Sequence, residues 1–497
     1  MPPWRGRMDN AAMRNLPLPH AAFSGWIAAA ALLGSGAALH AQVQAPLPCA
    51  ACVGVTIGPA TVIRGPAGDE SDAPFVALKL PDGRLRGFVS NATTYAVDGN
   101  GIPGMGGARR PVMRPGERGT LSECGNWITG LSRSGATLYA LVHNEAACNY
   151  ERGETHKSMA VAASADDGLT WRLLGTVAQA SQKPVPGQLT GEGDCTMADG
   201  QDGFLYMYCL RAADWKITAM RSPKDDPAPG RWMKWDGRAW SVPALGGDAV
   251  PLAQFPGHSA AWWTPQKLML LLAVERSLKL SLSADKVRFA PLSAPLVLYD
   301  EDIWDRPAAS ALYAYPSLVA PDGGNAVGDD SYLTYAYVPP GAGFTERYLV
   351  MHKMRMTMQS APAAPQVRTA LARFVDPNGL RMTTSGPPLV AGERPRFALE
   401  KELGYVLTAA PAAPSLLLEE CVSAAAGFFL SDRPCATELA ARRRSAGYVY
   451  RDPQPGTVPL YACTDGGGRR FAATDPGCDG HGRPARRLGE VLAPDAR

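Results

Sequence analysis

Between about residues 60 and 358 one theme recurs along the chain: an apolar strand, a Gly/Asp turn, a second apolar strand, then an outer hairpin. A unit this small cannot cover its own apolar faces, so repeated copies must stack on one another to make a core. Five copies can be read. The first has strands at 75–80 and 85–89 around Pro81-Asp82-Gly83. The second has 127–131 and 137–142 with an outer hairpin over 159–177. The third has 195–198 and 204–210, with outer pieces at 217–221 and 232–235. The fourth has 259–263 and 268–274, then 278–283 and 288–292. The fifth has 317–320, 332–338 and 348–356. A period near the ~40 to 60 residues of a four-stranded blade, met five times, predicts an all-β chain built as a five-bladed β-propeller. A β-sandwich is the alternative, disfavoured by the regular order of the units. The 52 Gly and 44 Pro agree with many short strands joined by turns rather than long helices.

The second copy holds the octet Ser164-Ala165-Asp166-Asp167-Gly168-Leu169-Thr170-Trp171, which fits S-x-D-x-G-x-T-W. Its acids can bond the backbone of a tight turn, Gly168 can take positive φ, and Trp171 can fold back as an apolar lid. Ser283-Ala284-Asp285 followed by Phe289 reads as an eroded copy. The octet resembles the Asp-box of sialidases and related propellers, where the motif is structural and sits on the blade periphery. With the blade rhythm, it makes the stretch from Thr61 to Met358 similar to sialidase and five-bladed glycosidase propellers. The resemblance implies a carbohydrate-active protein, but not a sialidase. Val62-Ile63-Arg64-Gly65-Pro66 only distantly echoes the early F/Y-R-I-P motif, and Arg211 and Arg276 do not make the arginine triad.

Residues 1–41 read as a signal peptide, with Arg5, Arg7 and Arg14 ahead of an apolar run over 21–39 and small residues near Ala41. The run is close to the ~20 residues a membrane span needs, but its Ser and Gly residues favour cleavage over anchoring. The expectation is a secreted or periplasmic monomer with no stable membrane insertion. The ten cysteines fall into local neighbours: Cys49 with Cys52, Cys124 with Cys148, Cys195 with Cys209, Cys421 with Cys435, and Cys463 with Cys478. In an exported chain that pattern predicts a framework of five disulfides. Cys49-Ala-Ala-Cys52 could alternatively be a redox or metal site, though nothing nearby completes a zinc set. A formal charge of +3 with short basic runs gives no nucleic-acid footprint.

After a Pro/Ala-rich linker at 359–366, a shorter period begins. Gly404-Tyr405-Val406, Gly447-Tyr448-Val449 and Gly489-Glu490-Val491 each close one unit. Phe374 and Met382, Cys421 and Phe429, and Cys463 and Phe471 keep one spacing inside the units. Residues 367–497 are thus expected to form a three-repeat, β-rich domain, either a threefold fold such as a trefoil or an array of small β-modules. Pro459-Leu460-Tyr461-Ala462-Cys463 and Leu403-Gly404-Tyr405 resemble short aromatic repeats appended to many exported bacterial proteins. That likeness implies either a spacer or a module that binds surfaces or glycans.

In a propeller, the start of each innermost strand and the end of the next open onto one face over the axis. That rule gathers Asp72, Asn91, Glu123, Asn126, His143, Asn144, Glu145, Glu192, Asp194, Arg211, His258, Glu275, Arg276, Tyr315 and Ser317, with Trp127 and Tyr315 as aromatic walls. Gly191-Glu192-Gly193-Asp194 sets two carboxylates beside flexible glycines. Close carboxylates push their pKa values apart, as an acid and a base at one pH require. An acidic turn or cation site is the alternative reading of this tetrad. Glu123, Glu145, Glu192 and Asp194 are the expected catalytic carboxylates of a glycoside hydrolase. Asp72, Asn126, Trp127, His143, Asn144, Arg211, His258, Arg276 and Tyr315 are the expected substrate-binding set. The expected partner is a glycan or cell-surface polysaccharide. No cofactor is required, although channel acids could hold Ca²⁺. A non-catalytic glycan- or surface-binding propeller with the C-terminal repeats as a second contact is the competing reading.

Overall fold

The computed structural model describes residues 45–252, 259–274, 277–298, 310–362 and 366–495. The signal-peptide reading of 1–41 and the expected site residues His258 and Arg276, with Glu275 beside them, lie outside them. No described helix is long and apolar enough to cross a membrane.

The chain is all-β. It starts with β1 (Val53–Ile57) and β2 (Thr61–Arg64), and an antiparallel meander follows: β3 (Val76–Lys79), β4 (Leu85–Asn91), β5 (Thr93–Gly99) and β6 (Arg109–Met113). The next meander is β7 (Gly125–Ser134), β8 (Thr137–Asn149), β9 (Glu154–Ser164) and β10 (Arg172–Ala178). Beyond it lie β11 (Thr190–Asp199), β12 (Phe204–Arg211), β13 (Lys216–Pro223), β14 (Met233–Trp235) and β15 (Trp240–Pro243). A further sheet holds β16 (Ser259–Trp263), β17 (Leu268–Val274), β18 (Ser277–Ser283), β19 (Ala290–Pro291) and β20 (Val297–Leu298), with β22 (Ala326–Val327) alongside β16. Then come β21 (Leu312–Val319), β23 (Asp330–Val338) and β24 (Tyr348–Met358).

These sheets close into a propeller. Ala77, Thr129, Thr196, Ala260 and Leu318, one from the first strand of each sheet, line one narrow axial cavity. Asn325 ties the ring there, its Nδ2 donating to Met197 O at 2.7 Å and to Ala260 O at 2.9 Å. The middle strands carry the core because both their faces are covered. Leu268–Val274 reads LMLLLAV and is buried almost throughout, as a strand packed on both sides must be. Closure comes from the N-terminus, since β1 and β2 both pair antiparallel with β24.

The octet forms the turn between β9 and β10. Asp166 Oδ1 accepts from the Leu169 and Thr170 amides at 3.1 and 2.9 Å, Oδ2 accepts from Thr170 Oγ1 at 2.7 Å, and Gly168 N donates to Ser164 Oγ at 2.9 Å. Trp171 meets Phe88 of the preceding sheet edge-on at 6.0 Å. Asp285 repeats the arrangement after β18, with Arg288 replacing the threonine as side-chain donor at 2.6 Å. A third acid turn joins β14 and β15, where Asp236 accepts from the Arg238 and Ala239 amides at 2.7 Å. Asp166→Ala removes a local staple, and a loss of about 1–2 kcal/mol in urea unfolding is expected, by analogy with a lost helix cap.

The C-terminal part is three similar three-stranded units. They are β25 (Val367–Val375), β26 (Arg381–Thr384) and β27 (Ala398–Leu407); β28 (Ser415–Ser423), β29 (Gly427–Ser431) and β30 (Ala441–Tyr450); and β31 (Thr457–Thr464), β32 (Arg470–Ala473) and β33 (Arg483–Leu492). Their closing strands meet one another, and there Gly404, Gly447 and Gly489 adopt φ of 143°, 139° and 142°. A Cβ at Gly404 would stand 2.3 Å from Leu492 O, which explains the recurring glycine. Three residues before each glycine stands a cation. Lys401 pairs with Asp479 of another unit at 2.6 Å, and Arg486 with Asp432 at 2.6 Å and Glu438 at 2.9 Å. Arg444 instead leaves the threefold pattern and donates to Tyr313 OH of the ring. The propeller and the repeats are also joined through the backbone, since β1 pairs in parallel with β25.

All ten cysteines form the five bridges expected from their spacing, which fits an oxidising compartment. Cys49 is joined to Cys52 just ahead of β1, so these sulfurs are not free thiolates for a metal. Cys124, ahead of β7, is joined to Cys148 near the end of β8. Cys195 of β11 is joined to Cys209 of the neighbouring β12, with their Cα atoms 4.1 Å apart. The last two bridges occupy equivalent places in the second and third C-terminal units. Cys421 of β28 is joined to Cys435, and Cys463 of β31 to Cys478, each second cysteine lying in the short helical turn before the closing strand. The first unit has Phe374 of β25 opposite Met382 where the others have a cysteine opposite Phe429 or Phe471, so apolar packing stands in for the covalent link there.

Candidate active site

The sheet face at the start of β11 and the end of β8 carries a cluster of ionisable groups. Glu145 and His143 share one face of β8. In the β8–β9 register Glu145 stands opposite Lys157, so this cation is delivered by hairpin geometry. Lys157 Nζ lies 3.8 Å from Glu145 Oε1 and makes a closer pair with Asp194 Oδ2. Burial works against the Lys157 charge, but Asp194 and Glu145 outweigh it and hold its pKa above the ordinary value.

Asp194 reaches this cluster because β11 is irregular. The strand carries a bulge between Gly193 and Thr196, and Asp194 takes φ of 50°. Residues two apart in a regular strand point the same way, whereas a bulge re-aims a side chain. Just before it, Gly191 (φ 93°) lets β11 run against β9, where a Cβ would meet Lys157 O at 2.0 Å. The Asp194 amide donates to His143 Nδ1 at 3.1 Å. That bond leaves the imidazole proton on Nε2, which faces Glu145 Oε1 at 3.3 Å and Asp194 Oδ1 at 3.5 Å. Tyr150 OH donates to Glu145 Oε2 at 2.7 Å. Burial raises the Glu145 pKa, but His143 and Lys157 bring it below the usual carboxylate value. Two of the bridges fasten the strands that deliver these groups. The link from Cys148 to Cys124 holds the end of β8 just beyond Glu145, and that from Cys209 to Cys195 holds β11 at the residue after Asp194.

From the other side come Asp72, ahead of β3, and Tyr315 of β21. Tyr315 also sits at a bulge, between Ala314 and Ser317, with φ of 51°. Tyr315 and Asp72 line one small recess, and Arg347 Nη1 stands 3.0 Å from Asp72 Oδ1. Burial raises the Asp72 carboxyl to about 6; Arg347 opposes this shift, while the charges of Glu145 and Asp194 add to it.

Asp72, His143, Glu145, Asp194 and Tyr315 are thus brought together, with Lys157, Tyr150 and Arg347 added to those expected. Glu192 corrects the expectation of a Glu192/Asp194 pair. It is 1 % exposed, faces into the third sheet, and pairs with Lys234, which is 0 % exposed. Lys234 Nζ bonds Glu192 Oε2 and donates to Gly247 O at 2.6 Å, while Thr218 Oγ1 donates to Glu192 Oε1 at 3.1 Å. Glu123 is likewise drawn off, its carboxylate accepting from the Gly119 and Ala147 amides at 2.7 and 2.8 Å. Those bonds lower its pKa. Arg211 forks onto Asp214 at 2.9 and 2.6 Å. Asn126 accepts from Asn144 at 2.5 Å and donates to Arg114 O at 2.7 Å, a support beneath the site. Trp127, expected as an aromatic wall, is buried and packs under His143 at 5.4 Å between ring centres.

No protein-family model matches the chain, and no curated protein matches it. Among solved structures, a family 117 glycoside hydrolase, Zg3597 from the marine bacterium Zobellia galactanivorans, is similar at 12 % identity and a TM-score of 0.42. The alignment covers 64 % of this chain and 94 % of that one. The catalytic domain of the Coprinopsis cinerea GH62 α-L-arabinofuranosidase follows at 11 % and 0.41, covering 61 % and 98 %. A thermostable family-43 glycoside hydrolase stands at 12 % and 0.35, covering 67 % and 98 %. Likenesses this weak assign nothing to the site.

Proposed function

We propose that this protein is an exported glycoside hydrolase built on a five-bladed ring, with Asp72 and Asp194 as its working carboxyls and Glu145 beside them. The single observation that carries the reading is the backbone at Asp194 and Tyr315. Asp194 and Tyr315, non-glycine residues on different sheets, both hold positive φ at bulges, and Tyr315 feels the charges of Asp72, Asp194 and Glu145. Strain of this kind persists where the surroundings over-determine it and collects at functional sites.

The chemistry follows from the environments. Asp72, protonated up to about pH 6, protonates the departing glycosidic oxygen. Asp194, held by Lys157 and the His143 contact, activates water or attacks the anomeric carbon. Glu145 keeps negative charge beside the pair and so favours the proton on Asp72. The site's acids are met by Lys157 and Arg347, and the mechanism calls on no metal. A glycan-hydrolysis screen on the mature protein, with Asp194→Asn as its control, tests the proposal. Activity that is absent from the screen, or undiminished in the variant, would sink it.

Asp72 also gives a pH prediction. With the acid role, kcat should fall as pH rises past about 6. Stability has the same sign, because a carboxyl raised above its unfolded value contributes fully below ~3.9 and loses that contribution as pH rises through the folded value. Asp72→Asn is therefore expected to gain about 2 kcal/mol on the wild type between pH 4 and pH 8, read as urea midpoints. A difference independent of pH would contradict the buried acid.

A further inference from the structure

Among the described residues the largely exposed aromatic side chains are Tyr150 at 53 %, Trp215 at 48 % and Phe344 at 45 %. They are far apart in sequence but hold equivalent places in the fold. Tyr150 lies between β8 and β9, Trp215 between β12 and β13, and Phe344 between β23 and β24, each time the connection from the second strand of a sheet to the third. In an antiparallel sheet that connection lies at the end where the first strand starts. Asp194 near the start of β11 and Glu145 towards the end of β8 are at that same end.

Each connection is also tied to the acid cluster. Tyr150 OH donates to Glu145 Oε2 at 2.7 Å. Phe344 shares a small recess with Asp72, and the Arg347 guanidinium beside Asp72 stands 5.5 Å from the centre of the Phe344 ring. Ahead of Trp215, the Ala212 amide donates to Gly191 O at 3.0 Å, and Gly191 is the residue that β11 sets against Lys157. Round the ring, Phe344 belongs to the last sheet, Asp72 precedes the first, Glu145 lies in the second, and Asp194 and Trp215 belong to the third. The last sheet meets the first where Ser317 Oγ donates to Phe75 O at 2.8 Å. The acids therefore lie between Phe344 and Trp215.

Exposed aliphatic side chains, such as Leu399, Leu417 and Leu439 of the C-terminal units, are ordinary and mark nothing. Three aromatic rings gathered at one end of the ring, around a set of acids, need a reason. They do not merge into a dry patch, because Glu151 and Arg152 follow Tyr150, Asp214 and Lys216 flank Trp215, and Glu346 and Arg347 follow Phe344. The core of a protein interface is depleted in such charges. A sugar suits them, since its C–H face covers an aromatic ring while its hydroxyls reach polar groups around it. We propose that Phe344 and Trp215 are stacking platforms for sugar residues on opposite sides of the acid centre. The substrate class of the hydrolase proposed above is then the interior of a glycan chain, held on both sides of the bond that breaks, and the inference rests on that reading. Each cut consumes one water and releases two fragments, each longer than a single sugar.

The test uses ladders of one to six residues cut from xylan, arabinan, cellulose, mannan, galactan and agarose. Binding to the Asp194→Asn protein is read by calorimetry, and turnover by the wild type is read from the fragments released. In one ladder affinity should rise at least about tenfold from the single sugar to the longest member, and the first fragments should be two residues or longer. Trp215→Ala and Phe344→Ala should each weaken binding of the longest member by about 5- to 30-fold, the range of an aromatic anchor, with little effect on the shortest member that binds. Trp215 has φ of 57°, so Trp215→Gly relieves the backbone; it should lose the same affinity while its urea midpoint holds or rises. A lowered midpoint would mark the ring as structural and overturn that platform. Affinity and turnover that do not depend on length, or that survive both alanine variants, overturn the platforms while the hydrolase stands. Early products of one residue only overturn the two-sided arrangement. Length-dependent binding that the variants lose, without turnover in any ladder, supports the platforms and overturns the hydrolase. Neither binding nor turnover in any ladder overturns both.

Discussion

Asp194→Asn is expected to lower the turnover of any glycoside this protein cleaves by about 10²- to 10⁴-fold, the contribution of a positioned acid or base. Asparagine keeps the size of the side chain and removes its charge. The fold should tolerate the change, because Lys157 retains Glu145 Oε1 at 3.8 Å and the Asp194 amide still donates to His143. The comparison is made on kcat at saturating substrate, with thermal unfolding recorded on the same preparations. A loss smaller than about threefold would remove Asp194 from the chemistry, since even weak proton-transfer assistance exceeds that. Loss of activity together with collapse of the fold would instead mark the bulge as a structural requirement.

The largest effect on stability is expected from Glu192→Gln, at about 3–5 kcal/mol, because the substitution leaves the Lys234 ammonium buried without a counter-charge. The backbone carbonyls of Gly247 and Gln179 still accept from Lys234, at 2.6 and 3.2 Å. Carbonyls offset desolvation of the cation only in part. Adding Lys234→Met removes the unpaired charge, and the double variant should recover most of the loss, as replacement of a buried ion pair by apolar groups often does. Urea midpoints of the four proteins decide the matter. A Glu192→Gln protein within about 1 kcal/mol of wild type would mean the pair is hydrated, contrary to its burial.

These two acids also show how far a sequence can be read. Both stand two residues apart before a buried strand, and regular alternation aims them together. The positive φ at Asp194 separates them, and nothing in Gly-Glu-Gly-Asp announces which residue will carry it. Asp72, His143, Glu145 and Tyr315 were legible because they flank apolar strands whose ends open on one face. Lys157 was findable by counting back across the β8–β9 turn from Glu145, a register hidden by the irregularity between Ala146 and Asn149. Arg347 comes from a loop, where no periodicity fixes direction. The acid turn at Asp236 is hidden because Trp235 precedes it and Ser241, rather than a threonine four residues on, supplies the hydroxyl. The sheets themselves were readable because short apolar runs alternate with Gly/Asp turns. The C-terminal units were visible in the spacing of Gly404, Gly447 and Gly489. The bridges were readable because each joins cysteines close in sequence, Cys209 lying 14 residues after Cys195 and Cys478 15 after Cys463. Cys148, 24 residues after Cys124, returns to it because β7 and β8 form one hairpin whose open end lies between them.

The placement of β1 governs how this molecule can come into being. The early strand β1 is sandwiched between β24 and β25, with Val55 opposite both Met356 and Val367. Neither neighbour exists until some three hundred further residues have emerged, so the earliest sheets must form as an open arc with bare flanks. Topologies dominated by such distant pairings fold slowly, and an arc awaiting its last partner offers unpaired strand edges to other copies. A chain cut short before Val367 would keep one flank of β1 uncovered, and clumping rather than loss of secondary structure should be its first symptom.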